Sequence, residues 1–469
     1  MKIFLKKFLR IFGWILAIIG AIPVLFYVVL VIANLNDDPL SPDVEKLLAT
    51  SPPAIDANTN GYFAWIGIQG PENEHPHAWG QRWFNATLKN DQQARATMKP
   101  VSHPLEKEIR QNEVEKTPCD QVETCLENVA ANQDTAREVL KNGKVTLDRS
   151  NLALLYPAYQ EAWRPDASVA SILPSYSGRW RVLSATRFAL SVAEDRHTEA
   201  LEQLGWEMAF LKRQLQGSHG LIEKMIGIAY VRNHYLLLSQ YMRRHPVEAV
   251  MHGEQINAML AALPDDAVSL KPCMQSEKRF AALTILQLKD SQQDASLSSV
   301  LGDLGDAADF MQSQLANFML RHVFLINHTV NENAEKYDTW IRADDLKHDA
   351  YRKALADAQT HQSKRETIPF RLRNPVGYIL VNVATPDFGK YYLRRDDLLA
   401  LRSAVAFQLN LLRQVVIDGD KIAEVFKTEQ ENLRHPYSGA LPVWNKDTRQ
   451  LSYPLVGDTP KNKQVVIGL

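Results

Sequence analysis

Four residues near position 345 have the types and spacing of metal ligands. Asp344, Asp345, His348 and Asp349 place carboxylates and an imidazole at i and i+4 of a predicted helix. Carboxylate and imidazole groups bind zinc, but a solvated helix surface explains the same spacing, because charged residues commonly cluster there. We therefore predict no metal, cofactor or catalytic residue, and these four are the candidates should a metal be bound.

A hydroxyl lies beside an imidazole in the segment Gly217-Ser218-His219-Gly220. Adjacent side chains seldom point at each other, and the chain has no G-x-S-x-G elbow, so a serine hydrolase has little support. Asp303, Asp306 and Asp309 lack the alternating ligands and the closing Glu of a calcium loop. No P-loop, H-E-x-x-H or dinucleotide-binding motif occurs in the sequence.

Two of the three cysteines, Cys119 and Cys125, are close together in the sequence, and Cys273 is far from both. In an oxidising compartment, a close pair indicates a small disulfide loop. A zinc site would need two further ligands at C-x₂-C or H-x₃-H spacing, and a redox-active pair is usually C-x-x-C. We predict a Cys119–Cys125 disulfide and a buried, free Cys273.

The longest uncharged stretch spans residues 11–33 and follows four basic residues within 1–10. A helix over 11–33 would be about 34 Å long, enough to cross a hydrocarbon core of about 30 Å. The stretch is too long for a cleaved signal peptide. We predict a single-pass signal anchor that contacts the lipid bilayer of a bacterial inner membrane. The positive-inside rule then places 1–10 in the cytoplasm and the bulk in the periplasm.

Residues 34–104 are rich in Pro, Asn and Gly and are predicted to be a juxtamembrane segment that docks on the body. Ser41-Pro42-Asp43 has the capping residues of a short helix. The stretch 61–68 is apolar and aromatic, which predicts a packed strand or short helix rather than a loose tether. Histidines in His75-Pro-His77 and at His103 could be metal ligands, but in a Pro- and Gly-rich loop we expect them to face solvent.

Residues 105–432 have a helical period. Apolar residues recur every three or four positions over 201–215 and 398–416, which lines one face of each helix. The stretch 221–242 is apolar nearly all round, as is typical of a helix in the centre of a bundle. The sequence predicts an irregular α-helical bundle.

Within that bundle, residues 187–201 resemble one tetratricopeptide unit, since two helical stretches are joined by a tight polar turn. No 34-residue period recurs, and a solenoid needs about three units. The resemblance is therefore local, and an αα-hairpin in an irregular bundle is the simpler interpretation.

The C-terminal region 433–469 changes character. Leu451, Tyr453 and Leu455 alternate with other residues, as do Val465, Ile467 and Leu469; such a period of two predicts strands. We predict a turn followed by a small β-hairpin flap. The predicted fold class is thus mainly α, with one N-terminal transmembrane helix, a helical bundle and this flap.

A family resemblance rests on four features: the uncharged stretch 11–33, the Cys119/Cys125 pair, Asn374-Pro-Val-Gly377 before a helix, and His435-Pro-Tyr-Ser-Gly439. With these the chain resembles uncharacterised single-pass membrane proteins of proteobacteria. The resemblance implies a signal anchor and a helical periplasmic domain. It brings no established activity and no catalytic residues.

The composition excludes one class of partner. The net charge is −1, with no basic patch after the first span, whereas nucleic-acid binding needs clustered Lys and Arg. Two function classes remain. The chain is either a membrane-tethered periplasmic scaffold that binds envelope proteins, or an envelope hydrolase whose site is assembled from distant residues. We favour the non-enzymatic scaffold, because the sequence contains no catalytic motif.

Overall fold

A computed structural model describes residue 14 and the residues 20–50, 56–88, 117–162, 177–291, 322–346, 348–363, 371–384, 388–414, 419–456 and 464–468. The chain is mainly helical with a small three-stranded antiparallel sheet, which confirms the mainly α prediction. It forms two compact units. The first contains residues 1–51, 278–339 and 359–387, and the second contains 52–277, 340–358 and 388–469.

Residues 20–33 are helical. The further described helices, in chain order, are α1 (Pro42–Ala49), α2 (Gly61–Ile66), α3 (Pro76–Leu88), α4 (Cys125–Ala131), α5 (Gln133–Asn142), α6 (Lys144–Leu154), α7 (Ser177–Ala193), α8 (His197–Gly217), α9 (Leu221–Arg244), α10 (Pro246–Met251), α11 (Gly253–Met259), α12 (Asp265–Val268), α13 (Lys271–Ser291), α14 (Ile326–Asp344), α15 (His348–Ser363), α16 (Pro375–Ala384), α17 (Gly389–Arg413) and α18 (Gly419–Glu429). The strands are β1 (Val443–Asn445), β2 (Gln450–Pro454) and β3 (Gln464–Gly468).

The predicted transmembrane anchor at 11–33 is wrong. Across the described parts of the chain, no helix is both long enough and apolar enough to cross a membrane. This finding also overturns the predicted location in a bacterial inner membrane, with a cytoplasmic N-terminus and a periplasmic bulk.

Helix α9 lies in the core of the second unit and packs against α8 and α17. The predicted apolar stripe of α8 is buried along its whole length, as are Leu398, Leu401, Val405 and Leu409 of α17. Helices α7 and α8 pack on each other as a hairpin, and Asp195 in their turn has a left-handed φ of 57°. The periodicity therefore identified the core-facing sides of these helices correctly.

The stretch 61–68 is buried and helical, one of the two structures that the sequence allowed. All six residues of α2 are buried, and α2 packs closely on α3. A Cβ atom at Gly80 would lie 1.9 Å from the carbonyl oxygen of Phe63, so this approach requires glycine. Arg149 holds the connection between the two helices by donating hydrogen bonds to the carbonyl oxygens of Ile68, Pro71, Glu74 and Gly67.

The predicted disulfide is also confirmed. Cys119 and Cys125 are bonded, with their Cα atoms 4.4 Å apart, and both are fully buried beside the start of α4. Cys273 is free and buried, as expected.

The C-terminal flap has one strand more than the predicted hairpin. β2 and β3 pair antiparallel as predicted, with Leu451 opposite Ile467, and both side chains are buried. β1 adds an edge strand that pairs Trp444 with Leu451. This strand has only three residues, which is too short for an alternating pattern to be recognised in the sequence.

Within the first unit, the residues directly after residue 33 are fixed by side-chain hydrogen bonds. Asn34 accepts a hydrogen bond from the backbone N–H of Asn374, 2.6 Å away, and Asp37 accepts from the backbone N–H groups of Asn327 and His328 at the start of α14. Asn374 has a left-handed φ of 52° and accepts from the N–H of Leu325. The Asn-Pro-Val-Gly motif is thus a turn that joins the starts of two helices.

Candidate functional site

The metal candidate Asp344 is a helix cap in the second unit. One carboxylate oxygen accepts hydrogen bonds from the hydroxyl of Ser269 at 2.6 Å and from the backbone N–H groups of Leu270 and Lys271 at 3.0 and 3.1 Å. These donors lie at the N-terminus of α13, where N–H groups lack helical partners and a negative charge is stabilised.

The other carboxylate oxygen of Asp344 pairs with the guanidinium of Arg395 on α17. Arg395 also pairs with Asp396 at 3.0 Å and donates to the hydroxyl of Tyr351 at 3.0 Å. Burial raises the pKa of Asp396, and Arg395 and the Tyr351 hydroxyl oppose that rise. The cluster is nearly inaccessible to solvent, so the charges of Asp344, Arg395 and Asp396 stabilise one another.

The other metal candidates have separate partners. Asp345 pairs with Lys271 at 2.7 Å, and Asp349 pairs with Arg352. The side chain of His348 lies outside the described residues, as do Asp303, Asp306 and Asp309. In the portion of the chain that the structure covers, no group of three or more His, Cys, Asp or Glu residues is arranged to hold a metal ion. The four-residue metal site stays a hypothesis.

The prediction that the histidines of His75-Pro-His77 face solvent is wrong for His77. His75 is exposed, but His77 is buried, and its ring stacks on Tyr156 with centroids 4.7 Å apart. Desolvation lowers the pKa of His77. The sequence shows only that His77 follows Pro76; its burial depends on α3 packing against α2. His103 lies outside the described residues.

The Gly217-to-Gly220 segment is a connection between α8 and α9. The Ser218 hydroxyl donates to the carbonyl oxygen of Gln214 at 2.6 Å, and Ser218 is buried, so this hydroxyl ends α8. Glu161 accepts from the backbone N–H groups of His219 and Gly220 at 2.9 and 2.6 Å and so caps α9. The predicted serine–histidine neighbours therefore have structural roles here.

An amine and a thiol that could act as nucleophiles, Lys224 and Cys273, lie near this connection. Both are fully buried. The Lys224 ammonium donates to the carbonyl oxygens of Leu215 and Asp266, and the Cys273 thiol donates to that of Ser218 at 3.5 Å. Burial lowers the pKa of Lys224 and raises the pKa of Cys273 to about 12, with Lys224 opposing the latter rise. Neither group reaches solvent, so neither can attack an external substrate in this conformation.

A second buried carboxylate, Glu223, neighbours Lys224 in sequence. It accepts hydrogen bonds from the hydroxyl of Tyr159 at 2.6 Å and from the side chain of Gln214. Desolvation raises the pKa of Glu223, while these two hydrogen bonds oppose the rise. Both Glu223 and Lys224 are buried on α9.

A third buried carboxylate with several partners belongs to Glu207 on α8. It accepts from Ser184 and Arg187 on α7, from Gln203 at 3.1 Å, and from the ring of His234 on α9 at 3.0 Å. The other ring nitrogen of His234 faces the carbonyl oxygen of Tyr230 at 2.9 Å. The two ring nitrogens of His234 thus contact one carboxylate oxygen and one carbonyl oxygen.

Desolvation alone would raise the pKa of Glu207. The hydrogen bond from His234 and the charges of Arg187 and His234 outweigh it and lower the pKa of Glu207 to about 2. This cluster joins three helices in the centre of the unit. Sequence reasoning missed it, because Glu207 falls between apolar residues of α8 and its partners are distant in the chain.

His435 is the first residue of the His435-Pro-Tyr-Ser-Gly439 motif, and its side chain fixes the C-terminal turn. Its Nδ1 accepts from the backbone N–H groups of Tyr437 and Ser438, both at 3.2 Å, so the hydrogen is on Nε2, which donates to Asp397 at 3.0 Å. Asp397 also accepts from the backbone N–H of Val456. The motif thus ties the turn and the end of β2 to α17.

One short helix presents apolar side chains to solvent. Val247, Val250 and Met251 of α10 are 67%, 42% and 77% exposed, and they occur at i, i+3 and i+4, on one face. Ala249 is fully buried on the other face, and α10 packs against α9 and α17. We call these three residues the α10 face.

Comparison of the chain with protein-family models, with curated proteins and with solved structures found no match. The resemblance to proteobacterial membrane proteins stays a prediction from the sequence.

Proposed function

We propose that this chain is a helical interaction protein that binds a partner protein through the α10 face. The observation that carries the proposal is the exposure of Val247, Val250 and Met251 on one face of a helix whose opposite face is buried. The helix is fixed by its packing on α9 and α17, so the apolar side chains are held in place before a partner binds.

The chemistry of the face suits an apolar partner surface. Burying a Val or Met side chain contributes roughly 1.5–3 kcal/mol, and methionine adapts to irregular surfaces because its side chain is unbranched and polarisable. A charged pair, Arg413 and Glu254, lies at the start of the neighbouring helix α11. An apolar centre with charges nearby is the usual arrangement of a protein–protein interface.

The hydrolase alternative receives less support from the same unit. A hydrolase that acts through a covalent intermediate needs a nucleophile that a substrate can reach, and Lys224 and Cys273 are both fully buried. The Ser218 hydroxyl is buried as well and donates to a backbone carbonyl.

Site-specific photo-crosslinking tests the proposal. A photoreactive amino acid replaces Met251 in one variant. In the control it replaces Leu155, which is 75% exposed directly after α6. We expect a discrete crosslinked product with another protein from position 251 and none from position 155. The product should disappear when Val247→Asp is added.

Three outcomes would contradict the proposal: no product from position 251, the same product from both positions, or a product that persists with Val247→Asp. A crosslinked homodimer would also contradict it, because the partner would then be a second copy of the chain. Circular dichroism of the Val247→Asp variant checks its fold; no loss is expected, because Val247 is 67% exposed.

A further inference from the structure

Two cations of the second unit donate to nearby carbonyl oxygens, and neither has an acidic partner among the described residues. Lys212 on α8 donates to the carbonyl oxygen of Ala258 at 3.2 Å, and Arg402 on α17 donates to that of Leu260 at 3.0 Å. Their acceptors are two residues apart at the end of α11. The two charged groups are therefore brought together from different helices onto one helix terminus.

The positive charge of Lys212 and Arg402 exceeds the negative partial charge at the C-terminus of α11. A helix C-terminus carries the equivalent of about half a negative charge, whereas Lys212 and Arg402 carry two full positive charges. Within the described chain, neither cation forms an ion pair with a carboxylate, although such pairs surround Arg187, Arg395 and Arg413.

The two groups also act on each other electrostatically. Desolvation lowers the pKa of Lys212, and the positive charge of Arg402 lowers it further. No carboxylate contributes to that shift. A bound anion would relieve this repulsion and raise the pKa of Lys212 again.

Much of the hydrogen-bonding capacity of the pair is unused. An ammonium group has three N–H donors and a guanidinium five; among the described contacts, Lys212 uses one and Arg402 uses one. Both side chains are half-buried, so they are partly desolvated yet reachable from solvent. The planar guanidinium matches the spacing of two oxygens of a phosphate or carboxylate.

We propose that Lys212 and Arg402 form a binding site for an oxyanion, a phosphate or carboxylate group of a soluble ligand. The anion would accept hydrogen bonds from the remaining N–H groups of both side chains and would link α8 to α17 at the end of α11.

Ligand-dependent stabilisation of the full chain tests the site. Thermal unfolding is followed at fixed pH and ionic strength with increasing inorganic phosphate, with sodium chloride as the ionic reference and succinate as the carboxylate probe. We expect a saturable rise of Tm with phosphate, succinate or both, beyond that with chloride. The stronger response identifies phosphate or carboxylate as the preferred group.

Substitution of each cation then locates the site. Lys212→Gln and Arg402→Gln should each weaken the apparent affinity roughly tenfold or more, because each removes charge-assisted hydrogen bonds. Lys271→Gln is the matched control, since Lys271 already pairs with Asp345 at 2.7 Å, and it should leave the response unchanged. If Arg402→Gln fails to fold, Lys212→Gln decides alone, because its side chain is the more peripheral one.

Two results would overturn the inference. Wild-type protein could show no stabilisation beyond that in chloride. Alternatively, Lys212→Gln could lower Tm in the absence of anion and keep the full response to it, which would mean that Lys212 only caps α11.

Discussion

Replacing Glu207 by Gln should destabilise the chain strongly at neutral pH. The substitution preserves the size of the side chain but removes the charge that Arg187 and His234 face. The pKa of Glu207 falls from its usual 4.5 to about 2 in the folded chain. At 1.36 kcal/mol for each tenfold change in proton affinity, this difference corresponds to about 3 kcal/mol.

The sign of the pH dependence follows from the direction of this shift. Because the folded-state pKa is depressed, the stabilisation is fully present above the unfolded-state pKa near 4.5 and is lost as pH falls toward 2. The Gln variant lacks this contribution at every pH. The difference in unfolding free energy between wild type and variant should therefore be largest near neutral pH and shrink below pH 4.5.

Urea unfolding at a series of pH values measures both effects. Glu202→Gln is the matched control, because Glu202 lies on the exposed side of the same helix, and exposed substitutions usually change stability by less than about 0.5 kcal/mol. The reasoning is refuted if Glu207→Gln costs no more than the control. It is also refuted if the difference from wild type stays constant on acidification.

Two further predictions concern the polar cluster and the cysteines. Asp344→Ala should lower the free energy of unfolding by several kcal/mol, because it leaves the start of α13 uncapped and Arg395 buried without one partner. Asp345→Ala should lower it by under about 0.5 kcal/mol. Equal unfolding midpoints of the two variants in urea, or loss of a stoichiometric metal ion from the Asp345 variant, would contradict this assignment. Breaking the Cys119–Cys125 bond should cost roughly 2–3 kcal/mol or less, because the loop is short. Thiol labelling of unreduced protein should modify only Cys273, and only after denaturation; labelling of all three cysteines would disprove the disulfide.

Local patterns in the sequence predicted several features that the structure bears out. The spacing of apolar residues in α8 and α17 identified the buried faces, because a helix places residues three and four apart on one side. Ser41 accepts a hydrogen bond from the N–H of Val44, as its position before Pro42 indicated. The short spacing of Cys119 and Cys125 likewise sufficed to predict their bond.

The same kind of pattern failed at residues 11–33. An uncharged stretch of that length is typical of a membrane anchor, but no helix in the described residues is long and apolar enough to be one. The pattern measures only hydrophobicity along the sequence.

The sequence by itself determined which faces of the helices are apolar, the disulfide and the pairing of β2 with β3. These features depend on residues close together in the chain or on a regular period. Only the tertiary structure decided the environment of the ionisable groups. Glu207 meets His234 across 27 positions, and Asp344 meets Arg395 across 51. The energy of a buried charge depends on which partners reach it and on how much water remains. Neither quantity is determined until the helices have packed.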